Sequence, residues 1–139
     1  MSDPLIASQK SAAAGLFAQS ARMRVVSENI ANASSTGKTP GSDPYQRKTI
    51  SFDSVMDDNA GVDLVQVDQI ARDETPFETQ YLPGNPAADD KGMVKMPNVN
   101  MLVELADMRE ASRSYTANTQ VIKQVRELVS MTIDLMRPS

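Results

Sequence analysis

The stretch from residue 101 to residue 136, MLVELADMREASRSYTANTQVIKQVRELVSMTIDLM, sets the expectation for the fold. An apolar side chain recurs in it at every seventh position, which is the spacing of a continuous seam along an α-helix. This stripe consists of Met101, Met108, Tyr115, Ile122, Val129 and Met136. The pattern predicts a C-terminal helix of about 38 residues and about 57 Å. It would start after Pro97, with Asn98 or Asn100 as its cap, and end at Pro138.

A second long helix is predicted at the other end of the chain, where Asp3 and Pro4 form a favourable helix start. The sequence that follows is rich in Ala, and the helix should end near residues 34–37, after about 30 residues. Its larger apolar residues share one stripe: Leu5, Leu16, Met23 and Ile30, with Ala12 between them. A nearly opposite stripe is made of small residues: Ala7, Ala14, Ala18, Ala21 and Val25. We predict that the larger residues and the C-terminal stripe form the helix-packing interface.

The middle of the chain differs from both flanks. Of the 8 Pro and 6 Gly, 11 lie between Thr36 and Pro97, and this segment carries a net charge of −5. Residues 45–52, 62–70 and 77–82 are predicted strands, with a turn at residues 59–61. Such strands contain too few large residues for a core of their own, so they should pack on something else.

These patterns predict a mainly α fold. Long N- and C-terminal helices pair as an antiparallel coiled coil, with a small β-hairpin and extended middle segment. The predicted domains are residues 1–35 (N-terminal axial helix), 36–97 (acidic middle segment) and 98–139 (C-terminal axial helix). The first and third would form one helical domain.

Each predicted helix has apolar residues on two faces, whereas a two-helix hairpin buries only one face of each. A helix that is apolar on two faces needs neighbours on both. The chain offers no third helix, so we expect an oligomer or filament; the alternative is a dimeric coiled coil with broader apolar faces. The charged residues of the C-terminal helix would then be either solvated or engaged in salt bridges between subunits. They are Arg109, Glu110, Arg113, Arg126 and Glu127.

Several classes of function are excluded by composition. The chain has no His and no Cys, so it lacks imidazole bases, thiolate nucleophiles and thiolate metal sites. The acidic pairs at residues 57–58 and 89–90 do not match a calcium loop. The net charge of −4 disfavours nucleic-acid binding, and no stretch is long and apolar enough to span a membrane. We therefore predict no enzyme activity, no metal and no cofactor. The N-terminus does not have the pattern of a cleaved signal peptide, which by itself suggests a cytoplasmic protein.

The residues that close the first helix resemble a known signature. Ser27-Glu28-Asn29-Ile30-Ala31-Asn32, followed by Gly37 and Tyr45, resembles the N-terminal signature of bacterial flagellar rod, hook and hook-associated axial proteins. Asn29 and Asn32 are suited to capping and turn formation. Two later runs, residues 92–100 and 111–118, resemble the proximal rod members of that family. The signature and assembly residues implied by the resemblance are Ser27, Asn29, Ile30, Ala31, Asn32, Gly37, Pro97, Asn98, Val99, Asn100, Arg113, Tyr115 and Asn118.

This resemblance implies a structural subunit of the proximal rod, the drive shaft that crosses the periplasm. It implies that the helices line the export channel and that stiff helix packing transmits torque. The implied partners are the other proximal and distal rod proteins, the rod-base protein and the flagellar type III export apparatus. Subunits would be exported without a cleaved signal peptide into a hetero-oligomeric helical assembly. The alternatives are another axial protein of the family, or a cytoplasmic coiled-coil adaptor or export chaperone.

Overall fold

The computed structural model describes residues 4–137 and contains two long helices and four strands. Helix α1 spans Pro4–Ala31 and helix α2 spans Met101–Leu135. Between them lie β1 (Lys48–Asp57), β2 (Val62–Arg72), β3 (Glu78–Tyr81) and β4 (Met93–Met96). The mainly α architecture with a β-containing middle is confirmed, although the strands are more extensive than the predicted small hairpin. The predicted helix-start residue Asp3 and the predicted stop at Pro138 lie outside the described residues.

Asparagines hold the start of α2 and the end of α1. The side-chain oxygen of Asn100 accepts hydrogen bonds from the backbone N–H groups of Leu102 and Val103, and so caps α2. Of the two caps predicted for this helix, Asn100 is correct, and Asn98 binds neighbouring loops instead. After α1, the amide of Asn32 donates to the carbonyl of Glu28 at 2.9 Å. Asn32 therefore has the turn-forming position that the sequence predicts.

The two helices pack antiparallel, as three contacts along their length show. Asn29 bonds to Glu104, the Arg22 guanidinium pairs with Asp107, and Gly15 lies against Asn118. A Cβ atom on residue 15 would lie 2.5 Å from the Asn118 side-chain nitrogen, so any larger residue there would force Asn118 to move. The small residues predicted for one stripe of α1 are mostly buried: Ala7, Ala18, Ala21 and Val25, with Ala14 half-buried.

The residues that α2 buries within the chain are not those of its predicted stripe. The buried positions are Glu104, Ala111 and Val125, which follow a seven-residue spacing of their own. Members of the predicted stripe are exposed or half-buried. A seven-residue repeat drifts by about 20° per repeat around a straight helix, so two such lines can run close together. The contact between α1 and α2 therefore uses the line that contains Glu104.

The β1–β2 hairpin lies along α1. The strands pair antiparallel from Lys48↔Arg72 to Asp57↔Val62, and Gly61 adopts a φ of 65° in the predicted turn. One end of the hairpin is tied to α1 by Lys10–Asp57, at 2.8 Å. The expectation that only other chains can cover the second face of α1 is thus wrong in part, because the hairpin covers some of it. The pairing of β3 with β4 is a further difference, since β4 has no predicted counterpart.

The far end of α2 extends past α1. The register that sets Gly15 against Asn118 and Asn29 against Glu104 brings Pro4 opposite about residue 129. All side chains from residue 126 to residue 137 are exposed. We call this stretch, residues 126–137, the open end of α2.

Candidate functional site: a buried polar junction and an open helix end

A polar junction is buried where the end of α1, the start of β1 and the first turn of α2 meet. Its centre is formed by Asn29, which is 1% exposed, and Glu104, which is 0% exposed. Within residues 4–137, the polar and charged side chains that are buried are Asn29 and Glu104. Polar groups at such depth require hydrogen-bond partners, so the partners show what the junction connects.

Asn29 uses both ends of its amide. Its oxygen accepts hydrogen bonds from the Tyr45 hydroxyl at 2.8 Å and from the Lys48 backbone N–H at 2.9 Å. Its nitrogen donates to the Lys48 carbonyl at 2.8 Å and to a carboxylate oxygen of Glu104 at 3.1 Å. Two acceptances and two donations satisfy the side chain completely. Asn29 thus joins α1, the start of β1 and α2 through one amide group.

Glu104 is balanced by the guanidinium of Arg47. The Arg47 Nε donates to the second oxygen of Glu104 at 2.6 Å, and another of its nitrogens lies 3.2 Å from the Asp73 carboxylate. Burial acts to lower the pKa of Arg47, but the hydrogen bonds and charges of Glu104 and Asp73 outweigh it and raise that pKa. Glu104 also stands in the first turn of α2, where the helix dipole favours a negative charge. The junction therefore contains a charge-assisted pair between the middle segment and α2.

Asn98 connects the junction to the loop before α2. Its oxygen accepts the Arg47 backbone N–H at 2.8 Å, and its nitrogen donates to the carbonyls of Asp73 and Thr75 at 3.0 and 3.1 Å. Hydrogen bonds from Thr75, followed by the contribution of Arg47, lower the pKa of Asp73. Asn98 thus fixes the segment that follows β2 against the start of β1.

The Tyr45 hydroxyl faces the same anionic surroundings. Burial, together with the charges of Glu28 and Glu104, raises the pKa of Tyr45. The hydroxyl therefore keeps its proton and remains the hydrogen-bond donor to Asn29.

The remaining signature residues of the first half lie around the turn after α1. A side chain at Gly37 would meet the Ser42 carbonyl oxygen at 2.7 Å, so the loop closes only with glycine there. Ile30 is half-buried, while Ser27 and Ala31 are exposed. In the second half, Pro97 is buried and Val99 is half-buried just before α2.

The signature residues on α2 are separate from the junction. Arg113 is exposed, Tyr115 is 39% exposed and Asn118 is half-buried against Gly15. In the predicted helix-packing interface, the members on α1 are all half-buried, whereas exposed and half-buried positions alternate along most of α2. The half-buried members are Leu5, Leu16, Met23, Ile30, Met108 and Ile122, and the exposed ones are Met101, Tyr115, Val129 and Met136. The structure therefore leaves much of this interface available to other molecules.

Large apolar side chains also cluster at the open end of α2. The open-end patch consists of Leu128, Val129, Met131, Ile133, Leu135 and Met136, all exposed. The most exposed are Leu135 at 87% and Met136 at 78%. These side chains cover roughly half of the helix circumference, opposite a polar face that contains Glu127, Ser130 and Asp134, and so broad an apolar face needs a neighbour to cover it. Two chemically different features thus mark the two ends of α2.

Sequence reasoning misses Arg47 and the central role of Glu104. Asn29 is predicted as a capping residue because it stands near a helix end, and that role is wrong for Asn29, which is buried. One signal was available: Glu104 lies on a seven-residue line with Ala111, Asn118 and Val125. A charged residue on a line of packing positions implies a buried partner.

Two other properties bear on the site. In the part of the chain from residue 4 to residue 137, no three acidic side chains come together as a group that could hold a metal ion. Neither helix contains a segment apolar enough over 18 residues to be a candidate membrane span, within the same described residues.

Two models of known protein families match the two ends of the chain. A family model described as "Flagella basal body rod protein" matches residues 10–37, which include the end of α1. A second, described as "Flagellar basal body rod FlgEFG protein C-terminal", matches residues 90–135, which include β4 and α2. Both models describe flagellar basal-body rod proteins, and together they cover most of α1 and α2.

Comparison with individual proteins narrows this class to one family. The flagellar basal-body rod protein FlgC of Agrobacterium fabrum is 61% identical over 137 residues, with 99% of each chain covered. FlgC of Escherichia coli (strain CFT073) is 40% identical over 125 residues, covering 89% of this chain and 92% of the relative. FlgC of Borreliella burgdorferi is 35% identical over 150 residues, covering 96% and 98%. The chain belongs to the FlgC family and is a structural protein of the flagellar basal-body rod.

Proposed function

We propose that this chain is a non-catalytic subunit of the proximal rod, the segment of the drive shaft that crosses the periplasm. In this assembly α1 and α2 pack as a coiled coil with the helices of neighbouring rod subunits and line the export channel. The middle segment, residues 36–97, lies on the outside of these helices, with the β1–β2 hairpin packed along α1. Residues 1–35 and 98–139 together form the helical domain of this proposal. Torque passes through the stiff helices because each is held by several neighbours.

The observation that supports this proposal best is the open-end patch. Six large apolar side chains on a helix end are exposed within the chain, and burying them in a neighbour removes them from water. Each fully buried side chain of this size contributes about 1.5–3 kcal/mol. A chain with so much unburied apolar surface on one helix end is suited to assembly rather than to a monomeric existence.

The predicted interface residues extend this contact surface along α2. Tyr115, Val129 and Met136 are exposed in the chain, and Met108 and Ile122 are half-buried. We assign this stripe to packing between subunits, next to the line that already contacts α1. Arg113 lies on the exposed side of α2 and would form salt bridges with neighbouring subunits.

The proposed partners are the other proximal and distal rod proteins and the rod-base protein. The chain would reach the periplasm unfolded through the flagellar type III apparatus, without a cleaved signal peptide. Helices that depend on packing for their stability are compatible with such a route. No cofactor, metal or nucleic acid takes part in this function.

A deletion strain tests this proposal. Without this chain, isolated basal bodies should end at the inner-membrane ring, and the wild-type gene should restore the rod. Complete rods in the deletion strain would contradict the proposal. So would recovery of the chain as a discrete cytosolic dimer, which is the behaviour of an adaptor or chaperone.

A point substitution examines the α2 stripe. Tyr115→Asp places a charge where we propose a buried contact between subunits, and an unpaired buried charge costs several kcal/mol. Assembly and motility should be lost while export of the variant continues. Gln124→Asp is the matched control, because it adds the same charge at an exposed position off the stripe on the same helix. Normal motility with Tyr115→Asp would contradict a buried seam at this position.

A further inference from the structure

We propose that the buried junction is a latch that makes the pairing of α1 with α2 and the docking of the β1–β2 hairpin a single cooperative event. This property belongs to the chain itself and does not depend on the function proposed above. It predicts that the helical pair and the hairpin gain or lose their structure together.

The junction is completed by three segments of the chain. Asn29 comes from α1, Glu104 comes from α2, and Arg47 with the Lys48 backbone comes from the start of β1. With the hairpin undocked, Asn29 keeps one of its four hydrogen bonds, and Glu104 loses its cation. With α2 displaced, Arg47 keeps Asp73 but loses the buried carboxylate. No two segments satisfy the junction without the third.

Opening the junction only in part carries a large free-energy penalty. An ion pair that loses one partner leaves an unpaired charge in a buried site, and an orphaned amide adds a further penalty. A partly docked state is therefore disfavoured by roughly 100-fold or more relative to the closed chain. The fully opened state avoids the penalty, because water solvates every group there. The populated states are thus the closed chain and the fully opened one.

The hairpin is held to α1 at both of its ends. The junction fastens one end of the hairpin, whereas the turn end is fastened by Lys10–Asp57, whose side chains are 41% and 20% exposed. A partly exposed ion pair contributes little, and its opening imposes a much smaller penalty than that of a buried pair, since both partners are already in contact with water. The buried junction and the Lys10–Asp57 ion pair join the same helix to the same hairpin. They therefore provide a test site and a matched control.

Hydrogen exchange of the full chain, followed amide by amide, tests the latch. The chain is titrated with a stabilising osmolyte, which favours the compact state, so protection is measured over the whole folding range. The wild-type amides of α1, α2 and the hairpin should become protected at the same osmolyte concentration. Hairpin amides that gain protection at a different concentration from those of the helices would overturn the proposal.

Arg47→Met gives the decisive variant, because it removes the charge from the hairpin side and keeps most of the stem. Protection should fall by roughly 100-fold in α1 and α2 as well as in the hairpin, since Glu104 is left buried and unpaired. Arg47→Met with Glu104→Leu should recover most of this loss, because the unpaired carboxylate is gone. A loss confined to the hairpin, or a double variant no better than the single one, would overturn the latch.

Lys10→Met is the control. It breaks the exposed ion pair at the turn end of the hairpin, and protection should change by less than about threefold in every segment. An effect as large as that of Arg47→Met would mean that any contact between α1 and the hairpin couples them. The buried junction would then have no special role.

Discussion

The two ends of α2 are built on opposite principles. At its first turn, Glu104 is fully buried, charged, and bound by Arg47 and Asn29 from other parts of the chain. At its open end, residues 126–137 are exposed and include six large apolar side chains. Buried polar groups accept only partners with the right geometry, whereas apolar surface accepts many neighbours. The first end fixes the fold within the chain through Glu104, although the neighbouring Leu102 is 79% exposed, and we propose that the second end is completed by other chains.

The comparison also separates the family signatures by what they contact. Asn29, Asn98 and Gly37 make contacts inside the chain. Arg113 and Tyr115 are exposed within it. Substitutions of the first kind should lower the stability of the chain, and substitutions of the second kind should affect assembly alone.

The largest loss of chain stability is expected from Asn29→Ala. It would orphan the Tyr45 hydroxyl and two backbone groups of Lys48, and weaken the contact with Glu104. The free energy of unfolding should fall by about 2–4 kcal/mol, measured by chemical denaturation. Asn32→Ala is the matched control, since Asn32 bonds in the turn after α1. It should cost under about 1 kcal/mol, and equal losses would contradict the distinction between buried and turn asparagines.

A smaller loss is expected where the two helices approach most closely. Gly15→Val places a branched side chain against Asn118, so the helices must separate or Asn118 must leave its position. Overpacking of this kind costs about 1–3 kcal/mol. Gly84→Val serves as the comparison, because a Cβ atom there meets nothing within 4 Å. Unchanged stability of the Gly15 variant, judged by denaturation, would mean that the helices are less tightly paired.

Acidic pH should lower the stability of the chain, because it protonates Asp73 beside the junction. Its hydrogen bonds to Thr75 and its contact with Arg47 hold its pKa below the ordinary value of 3.8. A group with a lowered folded-state pKa stabilises the fold above its unfolded pKa and loses that contribution as the pH falls through the folded one. Stability should therefore decline as the pH drops below about 4, and Asp73→Asn should flatten the decline. A variant with an unchanged pH profile would exclude Asp73 as a contributor.

The smallest effect on the chain is expected at the open end. Ile133→Ser and Leu135→Ser replace exposed apolar side chains, so the free energy of unfolding should change by no more than about 0.5 kcal/mol. Rod assembly in a complemented deletion strain should nevertheless fail. A large stability loss would show that the open end is already packed within the chain, whereas normal assembly would show that neighbours do not use it.

The sequence predicts the local elements well where local chemistry decides them. The Asn100 cap, the turn before Gly61 and the two long helices all follow from residue type and spacing. The antiparallel direction of the helices also follows, because the chain must return through the middle segment. Asn32 is another correct local prediction.

The parts that escape prediction depend on contacts between distant residues. Nothing near Arg47 in sequence indicates that its side chain reaches Glu104, 57 positions away. The ion pairs Lys10–Asp57 and Lys48–Glu28, at the two ends of the hairpin, align it on α1. Helix periodicity alone assigns that face of α1 to other subunits. The choice between two adjacent seven-residue lines on α2 depends on the close approach at Gly15, a tertiary contact.

The central claim, that the open end of α2 is completed by neighbouring subunits, is tested most directly by high-resolution electron cryomicroscopy of isolated basal bodies. The account predicts that Leu135 and Met136, which are 87% and 78% exposed in the single chain, are buried against helices of adjacent rod subunits. The Asn29–Glu104–Arg47 junction should keep the contacts seen in the single chain. Solvent-exposed side chains at the open end within an assembled rod would contradict the account.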